Sequence, residues 1–406
     1  MFLFMLLMGL VGGEVNGELR FVGLEHGLPQ RCAKESTLER LARNNNTEVR
    51  CGFLRAGSLS LMKAMDLEQR RAGCDIVVVT TIFHNYDLFK DKKNDVFNDD
   101  SESCGFTFID EETCRQQKVK NSTCDTRKKG FAQFRSGARR VVVVDACALG
   151  FDDLRRASRM PKMLGFRLFP KAKYIISIDA RLILRKTPRA MVDEFLIAEN
   201  KTFMAVQHPK SLTRSVYEEA NIVVSQKLAD AREVEQQMTR YRLDGLPSRH
   251  QPPVHEMAFF VYDARDTRIQ ALLCAWFDEY MRGSVRDQLC WSYVVWKLQL
   301  IHTINSLPYR PLKRDYLTKG DHLITRTSHV PLLCPRDDSK VYDDDCGSGT
   351  ANNSSSSPAT NKGTAKKQQQ LLSSSSFFSS SSRRRGGGPF FQTNTRRRPT
   401  TTVANK

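Results

Sequence analysis

The sequence predicts an α/β domain with a mostly parallel central sheet flanked by helices, between residues 71 and 316. Apolar, β-branched runs of strand length alternate there with longer stretches in which apolar residues recur every three or four positions. The run 75–83 (DIVVVTTIF) is continuously apolar, which is typical of a strand buried on both faces. Strands that alternate with helices favour a parallel sheet covered on both sides.

The individual strands and helices are predicted from the same two patterns, continuous apolar runs for strands and apolar residues every three or four positions for helices. Strands are predicted at 75–83, 106–109, 140–146, 174–178, 182–184, 203–206 and 257–262. Helices are predicted at 152–169, 188–198, 216–228, 234–243, 267–280 and 288–300. Pro188 suits a first helical turn, because its missing N–H is not needed there.

The two ends of the chain have a different composition. Residues 1–13 are apolar but too short to span a membrane, so they are predicted to be a secretory signal, with a truncated signal-anchor as the alternative. Residues 14–70 are interpreted as an irregular stem and residues 317–349 as a C-terminal extension. Residues 350–406 carry runs of serine and arginine without apolar periodicity, which predicts a disordered tail.

The charge distribution bears on the partners. The net charge of the 406-residue chain is +18, but ten Lys and Arg residues and no acidic residue lie in 350–406. The remaining net charge of +8 is spread over residues 1–349. The tail is interpreted as solvated, and no nucleic-acid partner is predicted. A composition of 40% hydrophobic and 27% charged residues excludes a polytopic membrane protein and a fully disordered one.

Eleven cysteines favour an oxidising compartment. Four lie in apolar runs and are expected to be free and buried: Cys74, Cys147, Cys274 and Cys290. Seven lie in polar sequence and are candidates for disulfides: Cys32, Cys51, Cys104, Cys114, Cys124, Cys334 and Cys346. Their pairing does not follow from spacing. N-glycosylation sequons at Asn45, Asn121, Asn200, Asn352 and Asn353 agree with a secretory route.

Polar residues follow several predicted strands at the point where each strand ends. His84 to Asp87 follow the first strand, Asp110 and Glu111 the second, Asp179 the fourth and His208 the sixth. In a parallel sheet these ends meet at one edge, where ligands bind. Asp179 is the sharpest signal, because a carboxylate there suits a divalent cation on a diphosphate or a ribose hydroxyl. Arg181, two residues on, suits a phosphate directly.

Two helices carry further candidates. Arg155, Arg159 and Lys162 share one face of the predicted helix 152–169 and suit a leaving diphosphate, with a solvated helix face as the alternative. Asp287 opens the apolar helix that follows Arg286. It is either a carboxylate that takes the proton of an attacking hydroxyl or a residue favoured by the helix dipole.

Other catalytic classes lack their motifs. The sequence contains no H-E-x-x-H, G-x-S-x-G, G-x-G-x-x-G or P-loop pattern, and no C-x-x-C pair. Zinc hydrolases, α/β-hydrolases, dinucleotide enzymes, P-loop enzymes and a structural zinc site are therefore unsupported.

Six motifs together resemble the plant turgor-regulation and mucilage hexosyltransferase family, a glycosyltransferase-like domain. They cover roughly residues 74–300 in the family's order: VVVTTIFHNYD (77–87), FTFIDEET (106–113), RMPKMLGFRLFP (159–170), YIISIDARLIL (174–184), AVQHPKSLTRSVYEEA (205–220) and RDQLCWSYVVWKL (286–298). The resemblance implies a GT-A-like fold and a UDP-hexose or similar nucleotide-sugar donor. It also implies a glycan or glycoprotein acceptor and a lumenal site of action in the Golgi or secretory pathway, soluble or anchored at the N-terminus.

The resemblance also implies roles for individual residues. The nucleotide end is expected to be lined by Asn85, Tyr86, Asp87, Asp110 and Glu111. The diphosphate is expected to face Lys162 and Asp179. The sugar side is expected to hold His208, Arg214 and Glu218, and the acceptor side Arg286, Asp287 and Gln288.

Three alternatives stay open at this point. Many GT-A-type enzymes carry Asp-x-Asp where this chain has Asp179-Ala180-Arg181, so a cation such as Mn²⁺ at Asp179 is an open expectation. The same departure motivates a non-catalytic glycan-binding module. A member of the resembled family is also described as a ceramidase, which makes a lipid amidase the third reading.

Overall fold

The structure is a computed structural model that describes residues 20–22, 48–51, 56–88, 101–117, 124–126, 131–136, 139–146, 151, 153–210, 214–248 and 253–320. All of them belong to the first of two units of the chain, Met1–Cys346. The predictions for the signal segment 1–13, most of the stem, the extension beyond residue 320 and the tail 350–406 lie outside these residues. No helix within the described ranges is long and apolar enough to cross a membrane.

The strands in these ranges are β1 (Arg20–Val22), β2 (Glu48–Arg50), β3 (Ile76–Ile82), β4 (Ser103–Asp110), β5 (Phe131–Ser136), β6 (Arg139–Val144), β7 (Tyr174–Ile178), β8 (Leu182–Leu184), β9 (Phe203–Gln207), β10 (His255–Asp263), β11 (Ile304–Leu307) and β12 (Leu317–Lys319). The α-helices are α1 (Ala56–Ala72), α2 (Glu111–Gln116), α3 (Leu154–Met163), α4 (Gly165–Leu168), α5 (Pro188–Val192), α6 (Val216–Ser225), α7 (Ala231–Leu243), α8 (Thr267–Arg282), α9 (Asp287–Lys297) and α10 (Tyr309–Asp315). A π-helical turn (Asp193–Ile197) continues α5, and a 3-10 turn (Leu300–Thr303) follows α9.

An eight-stranded sheet organises the domain, in the order β11-β9-β10-β7-β3-β4-β6-β5. β3 pairs in parallel with both β4 and β7, β4 with β6, and β9 with β11. β10 is antiparallel to β7 and β9, and β5 is antiparallel to β6. The prediction of a mostly parallel sheet flanked by helices is confirmed. β5 and β11 were not predicted, and β8 pairs with β12 outside this sheet.

Both faces of the sheet are covered, as the continuous apolar strands predict. Val77 and Val79 of β3 face one core, together with Trp276 of α8 and Trp291 of α9. Ile76 and its alternating neighbours face a second core, which α5 and α10 help to close. Because successive side chains of a strand point to opposite faces, a strand that lies between two cores is apolar on both faces.

Two element predictions need correction. Residues 56–72 are not an irregular stem but the 17-residue helix α1, whose Leu61 and Met65 are fully buried in the first core. The predicted helix 152–169 divides into α3 and α4 beside Gly165. A Cβ on Gly165 would lie 3.0 Å from the Tyr262 hydroxyl, and the Phe166 N–H donates to that hydroxyl at 3.1 Å. The break thus brings the chain against β10.

Three disulfides connect the described cysteines: Cys51–Cys274, Cys74–Cys104 and Cys114–Cys124. The expectation that Cys74 and Cys274 are free is therefore wrong, because each meets a cysteine from a polar segment. Cys290 is free and buried, as predicted. Cys32, Cys147, Cys334 and Cys346 lie outside the described residues.

The Cys114–Cys124 disulfide fastens the segment 124–126 to α2, and its loss is expected to weaken the domain. The backbone N–H of Thr126 donates to Glu111 at 3.2 Å, so the bond also fixes one candidate site residue. Closing a loop with a sequence separation of 10 restricts the unfolded chain by about 2–3 kcal/mol. The double variant Cys114→Ala/Cys124→Ala should lose this amount in a urea titration, and an unchanged free energy of unfolding would contradict it.

Candidate active site

The carboxyl ends of three neighbouring parallel strands form the edge at which the candidate residues meet. β3, β4 and β7 end at Ile82, Asp110 and Ile178, and the residues that follow them include Asn85, Glu111 and Asp179. β10 runs in the opposite direction, so the edge receives its first residues and not its last. The last residues of β10, Tyr262 and Asp263, therefore lie at the far edge of the sheet.

Four charged side chains from three elements meet at this edge, and we call them the four-charge cluster: Arg159, Lys162, Asp179 and Asp287. Lys162 Nζ lies 3.1 Å from Asp179 Oδ1 and 3.8 Å from Asp287 Oδ2. Arg159 Nε lies 2.9 Å from Asp287 Oδ2. The structure thus brings together the two predicted catalytic carboxylates and two predicted diphosphate-binding cations.

Packing and backbone hydrogen bonds fix the cluster. α3 begins after Asp153, which accepts from the N–H groups of Arg155 and Arg156, and this sets the rotation of Arg159 and Lys162. The Lys162 ammonium lies 5.9 Å from the centre of the Phe260 ring. Its side chain is only 3% exposed, so it is held as a buried cation and not as a mobile surface lysine.

The carboxylates are equally fixed. The Asp179 N–H donates to the Ala258 carbonyl at 2.8 Å, which ties the end of β7 to β10. Trp276 Nε1 donates to the Asp287 carbonyl at 3.0 Å and so anchors the first turn of α9. Groups held in this way need little reorganisation when a ligand charge arrives.

The charges of the cluster keep one another ionised. Burial by itself raises the pKa of Asp287, but Arg159 and Lys162 outweigh it, and the net pKa is lowered. Burial lowers the pKa of Arg159, yet the nearby negative groups, with Asp287 first among them, together more than compensate and the net pKa is raised. Asp287 is therefore a carboxylate that holds cations in place and a poor proton acceptor.

Two further arginines near the cluster each have a side-chain N–H group without an acceptor among the described residues. Arg181 and Arg286 each have a buried Nε–H without a hydrogen-bond acceptor among the described residues. Arg286 also donates from Nη2 to Gln288 Oε1 at 3.2 Å, which joins the two predicted acceptor-side residues. Because buried donors are nearly always satisfied in folded proteins, two open donors beside Arg159 and Lys162 of the cluster indicate a place for an anion.

Glu256 belongs to this site, although the sequence reasoning missed it. It is the second residue of β10 and lines a small cavity of about 40 Å³ together with Arg181. Burial raises the pKa of its carboxyl, and the charge of Asp179 raises it further. The pairing of β10 with β9 is irregular between Glu256 and Phe260, so its register could not be inferred from alternation.

The predicted nucleotide-end residues form a second group around α2. Asp110 caps this helix by accepting from the Thr113 N–H at 3.0 Å and also accepts from the His84 N–H at 3.1 Å. The Asn85 N–H donates to Thr113 Oγ1, and its side-chain oxygen accepts from Gln117 Nε2 at 2.6 Å. Asp110 therefore already has a structural role, whereas Asn85 is held with φ near 50° and half-buried.

The remaining residues of that group differ in exposure. Tyr86 is 41% exposed. Asp87 is buried, and its backbone carbonyl accepts from Gln117 at 2.7 Å. Glu111 pairs with Arg115 at 3.2 Å and accepts from Thr126.

The predicted sugar-side residues lie after β9 and at the start of α6. Glu218 accepts from the Ser215 N–H at 2.6 Å and completes a capping box, so the helix start explains its presence. Arg214 pairs with the buried Glu219 at 2.6 Å. Burial lowers the pKa of His208, and the charge of Glu219 opposes this shift. The positive charge of Arg214 also lowers the pKa of His208, so these two predicted sugar-side residues interact electrostatically.

The residues around Asp179 do not fit a divalent cation held by protein side chains. Asp179 is paired with the Lys162 ammonium, and Arg181 stands where a second carboxylate would help. No group of three or more His, Cys, Asp or Glu side chains in the described part of the chain is arranged to hold a metal ion. The metal role of Asp179 stays a prediction, and no step below depends on it.

His255, next to Glu256, links the start of β10 to two neighbouring elements. Its Nδ1 accepts from Trp291 Nε1 at 3.1 Å, so Nε2 carries the proton and donates to Ser306 Oγ at 2.8 Å. The ring is fully buried, and burial lowers its pKa to about 3. The neutral ring therefore holds β10 against α9 and β11.

This histidine predicts a loss of stability in acid. Between pH 6.5 and 3 the unfolded chain binds a proton at His255 that the folded chain does not, so the free energy of unfolding falls as the pH drops. The contribution should be about 2 kcal/mol lower at pH 5 than at pH 7. His255→Gln lacks this contribution, so the difference in free energy of unfolding between wild type and variant should shrink by that amount from pH 7 to pH 5. A difference that does not change with pH would contradict the assignment of His255 as a buried neutral ring.

A family model described as "TOD1/MUCI70, glycosyltransferase-like domain" matches residues 27–316. The chain belongs to this family. The resemblance inferred from the six motifs is thereby confirmed, and the description agrees with the predicted GT-A-like fold. The match also begins well before residue 71, in line with the packing of α1 into the core.

Two curated proteins of Arabidopsis thaliana are similar to this chain. One is named "Probable hexosyltransferase MUCI70" and is 29% identical over 61% of this chain. The other is named "Alkaline ceramidase TOD1" and is 25% identical over 62% of this chain. The matched region spans 42% and 54% of the length of these relatives, so it corresponds to about half of each.

Two solved structures share a weaker likeness with this member of the TOD1/MUCI70 family. The apo structure of the bifunctional glycosyltransferase WbbM matches 59% of this chain and 39% of its own, with a TM-score of 0.32 and 12% identity. Mouse xyloside xylosyltransferase 1, also in its apo form, matches 57% of this chain and 85% of its own, with a TM-score of 0.30 and 10% identity.

Proposed function

We propose that the chain is a glycosyltransferase that moves a hexosyl group from a nucleotide-sugar donor such as UDP-hexose to a glycan or glycoprotein acceptor. The observation that carries this proposal is the four-charge cluster at the carboxyl edge of the sheet, in a chain of the TOD1/MUCI70 glycosyltransferase-like family. A diphosphate is the part of the donor that such a cluster suits, because buried, preorganised cations stabilise the charge that the leaving group develops.

The donor is expected to span two parts of the edge. Its diphosphate lies against Lys162, Arg159 and the open donors of Arg181 and Arg286. Its nucleoside extends along the ends of β3 and β4, where Asn85 and Tyr86 lie. Asp179 then lies between diphosphate and sugar, where it orients Lys162 and accepts a sugar hydroxyl.

In the reaction, the acceptor hydroxyl oxygen forms a bond to the anomeric carbon of the donor sugar. The bond from that carbon to the diphosphate oxygen breaks, and its electron pair leaves with the nucleoside diphosphate. The acceptor proton passes to a carboxylate. We assign this proton to Glu256, because a raised pKa makes its carboxylate a better base than Asp287, whose pKa is lowered.

The proposed place of action is the lumen of the secretory pathway, including the Golgi. Three disulfides among the described residues agree with an oxidising compartment. Asn200 opens a sequon and is exposed, so a glycan could be attached there without disturbing the core. Detection of a glycan on Asn200 in protein recovered from its host would support this location.

The proposal is tested with the full-length purified protein and radiolabelled nucleotide sugars. We expect donor turnover with at least one UDP-hexose, and a large loss of turnover in Glu256→Gln at unchanged UDP affinity. Ceramide is the parallel substrate, because amide hydrolysis is the competing reaction. Release of a long-chain base together with no response to any nucleotide sugar would overturn the transferase proposal in favour of the amidase. Acceptor binding without nucleotide affinity would instead favour the non-catalytic module.

A further inference from the structure

An open cavity of about 460 Å³ lies beyond Glu256, on the side of the site formed by α10 and the loop after β9. It is lined by Pro209, Tyr309, Arg310, Lys313 and Arg314. The smaller cavity that contains Arg181 and Glu256 shares Tyr309 and Lys313 with it, so the two cavities are neighbours on either side of these residues. The larger volume falls within the roughly 300–1,000 Å³ of sites that take small molecules.

The wall of this cavity is anchored from behind. Leu312 of α10 and Leu317 of β12 are buried in the second core, which fixes one face of the helix. Arg185 donates from Nη1 to the Arg314 carbonyl at 2.7 Å, and its N–H donates to the Tyr316 carbonyl at 2.8 Å. The opposite face of α10 therefore presents its side chains to the cavity from a fixed backbone.

The side chains on that face carry uncompensated positive charge. Arg310 and Lys313 are exposed and form no ion pair with any described residue. Arg314 is partly neutralised by Asp315, at 2.7 Å. Arg310 and Lys313 therefore line the cavity as exposed cations, next to the half-buried aromatic ring of Tyr309.

We propose that this cavity is an acceptor subsite for an anionic glycan, one that carries carboxylate or sulfate groups. The inference rests on the proposed transferase function and names the acceptor class of that site. The guanidinium of Arg310 matches both kinds of oxyanion in a bidentate way, and Lys313 adds a point charge next to the small cavity. Tyr309 offers an apolar ring face for a pyranose ring and a hydroxyl at its rim. The hydroxyl to be extended then points toward Glu256 in the neighbouring small cavity, which Tyr309 and Lys313 also line.

The experiment measures binding of three tetrasaccharides to the full-length protein by calorimetry, without donor. They are a tetramer of uronic acids, the same tetramer with its carboxyl groups reduced to alcohols, and a sulfated form of the reduced tetramer. We expect the two charged probes to bind at least about tenfold more tightly than the neutral probe, which corresponds to two modest charge contacts. A uronate or a sulfate preference identifies which oxyanion the subsite serves.

The variant Arg310→Gln/Lys313→Gln should abolish this preference and leave binding of the neutral tetramer unchanged. The control is Lys63→Gln/Arg232→Gln, which removes the same charge from exposed positions on α1 and α7 that line neither cavity. It should keep the preference. All four substitutions are at exposed positions, so unfolding midpoints should stay at the wild-type value.

Two results would overturn the subsite. One is equal affinity of the wild type for charged and neutral tetramers. The other is an equal loss of preference in both double variants, which would mean that overall charge and not this cavity attracts the anion. UDP binding, measured on the same samples, separates the subsite from the transferase proposal. A protein that binds UDP but shows no anionic preference loses the subsite and keeps the transferase, whereas one that binds no nucleotide loses the transferase itself.

Discussion

Replacing Lys162 with Met is expected to reduce sugar transfer by about 100- to 1,000-fold, the range observed when one preorganised charge-stabilising donor is removed. The ammonium lies 3.1 Å from Asp179 and 3.8 Å from Asp287, and it is almost fully buried. Met keeps most of the volume of the side chain and its packing near Phe260. The loss should therefore appear in kcat and in affinity for the nucleoside diphosphate more than in folding.

The matched control is Lys173→Met. Lys173 also pairs with an aspartate, Asp75, at 2.7 Å, but both side chains are about half exposed. Surface pairs of this kind contribute roughly 0–1 kcal/mol, so this variant should keep wild-type transfer and stability. Wild-type transfer by Lys162→Met would show that the cluster does not bind the leaving diphosphate.

Replacing Asp287 with Asn is expected to lower the free energy of unfolding by about 3–5 kcal/mol, because it leaves Arg159 without its counter-ion and Lys162 with Asp179 alone in a buried site. Arg159 lies 2.9 Å from this carboxylate, and the Asp287 side chain is only 9% exposed. The amide preserves the shape and can still accept one hydrogen bond, so a loss of this size would report charge and not packing. Thermal and urea unfolding measure it directly.

A second variant separates this effect from ordinary ion pairs. Asp193→Asn breaks the pair with Arg189, at 2.5 Å on an exposed helical turn, and should cost no more than about 0.5 kcal/mol. A similar loss in the two variants would contradict the structural role assigned to Asp287. If Asp287→Asn instead folds normally and loses only transfer, Asp287 is itself the base, and Glu256 is not.

The order of the main elements was predictable because the strands are buried on both faces. Apolar, β-branched runs of this kind have one interpretation, and Tyr174–Ile178 and Leu182–Leu184 were predicted to the residue. β5 was missed because its FAQFRS sequence is short and polar at an edge, where one face meets solvent. α1 was missed because its apolar positions are sparse, although Leu61 and Met65 are fully buried.

The site was predictable where it depends on parallel strands and unpredictable where it does not. Asp179 follows a parallel strand, and the sequence places it at the ligand edge. Glu256 precedes an antiparallel strand, and strand direction cannot be inferred from an apolar run. Asp110 and Glu218 show a second ambiguity, because a carboxylate at a strand end or loop also serves as a helix cap.

Calorimetric titration of the full-length protein with UDP measures whether the four-charge cluster binds the diphosphate of a nucleotide-sugar donor. We expect a binding isotherm for the wild type and for Lys173→Met, with affinity at least about 100-fold weaker in Lys162→Met, as expected for a lost charge-assisted contact. No heat of binding with UDP or any other nucleoside diphosphate, or equal affinity in wild type and Lys162→Met, would contradict it.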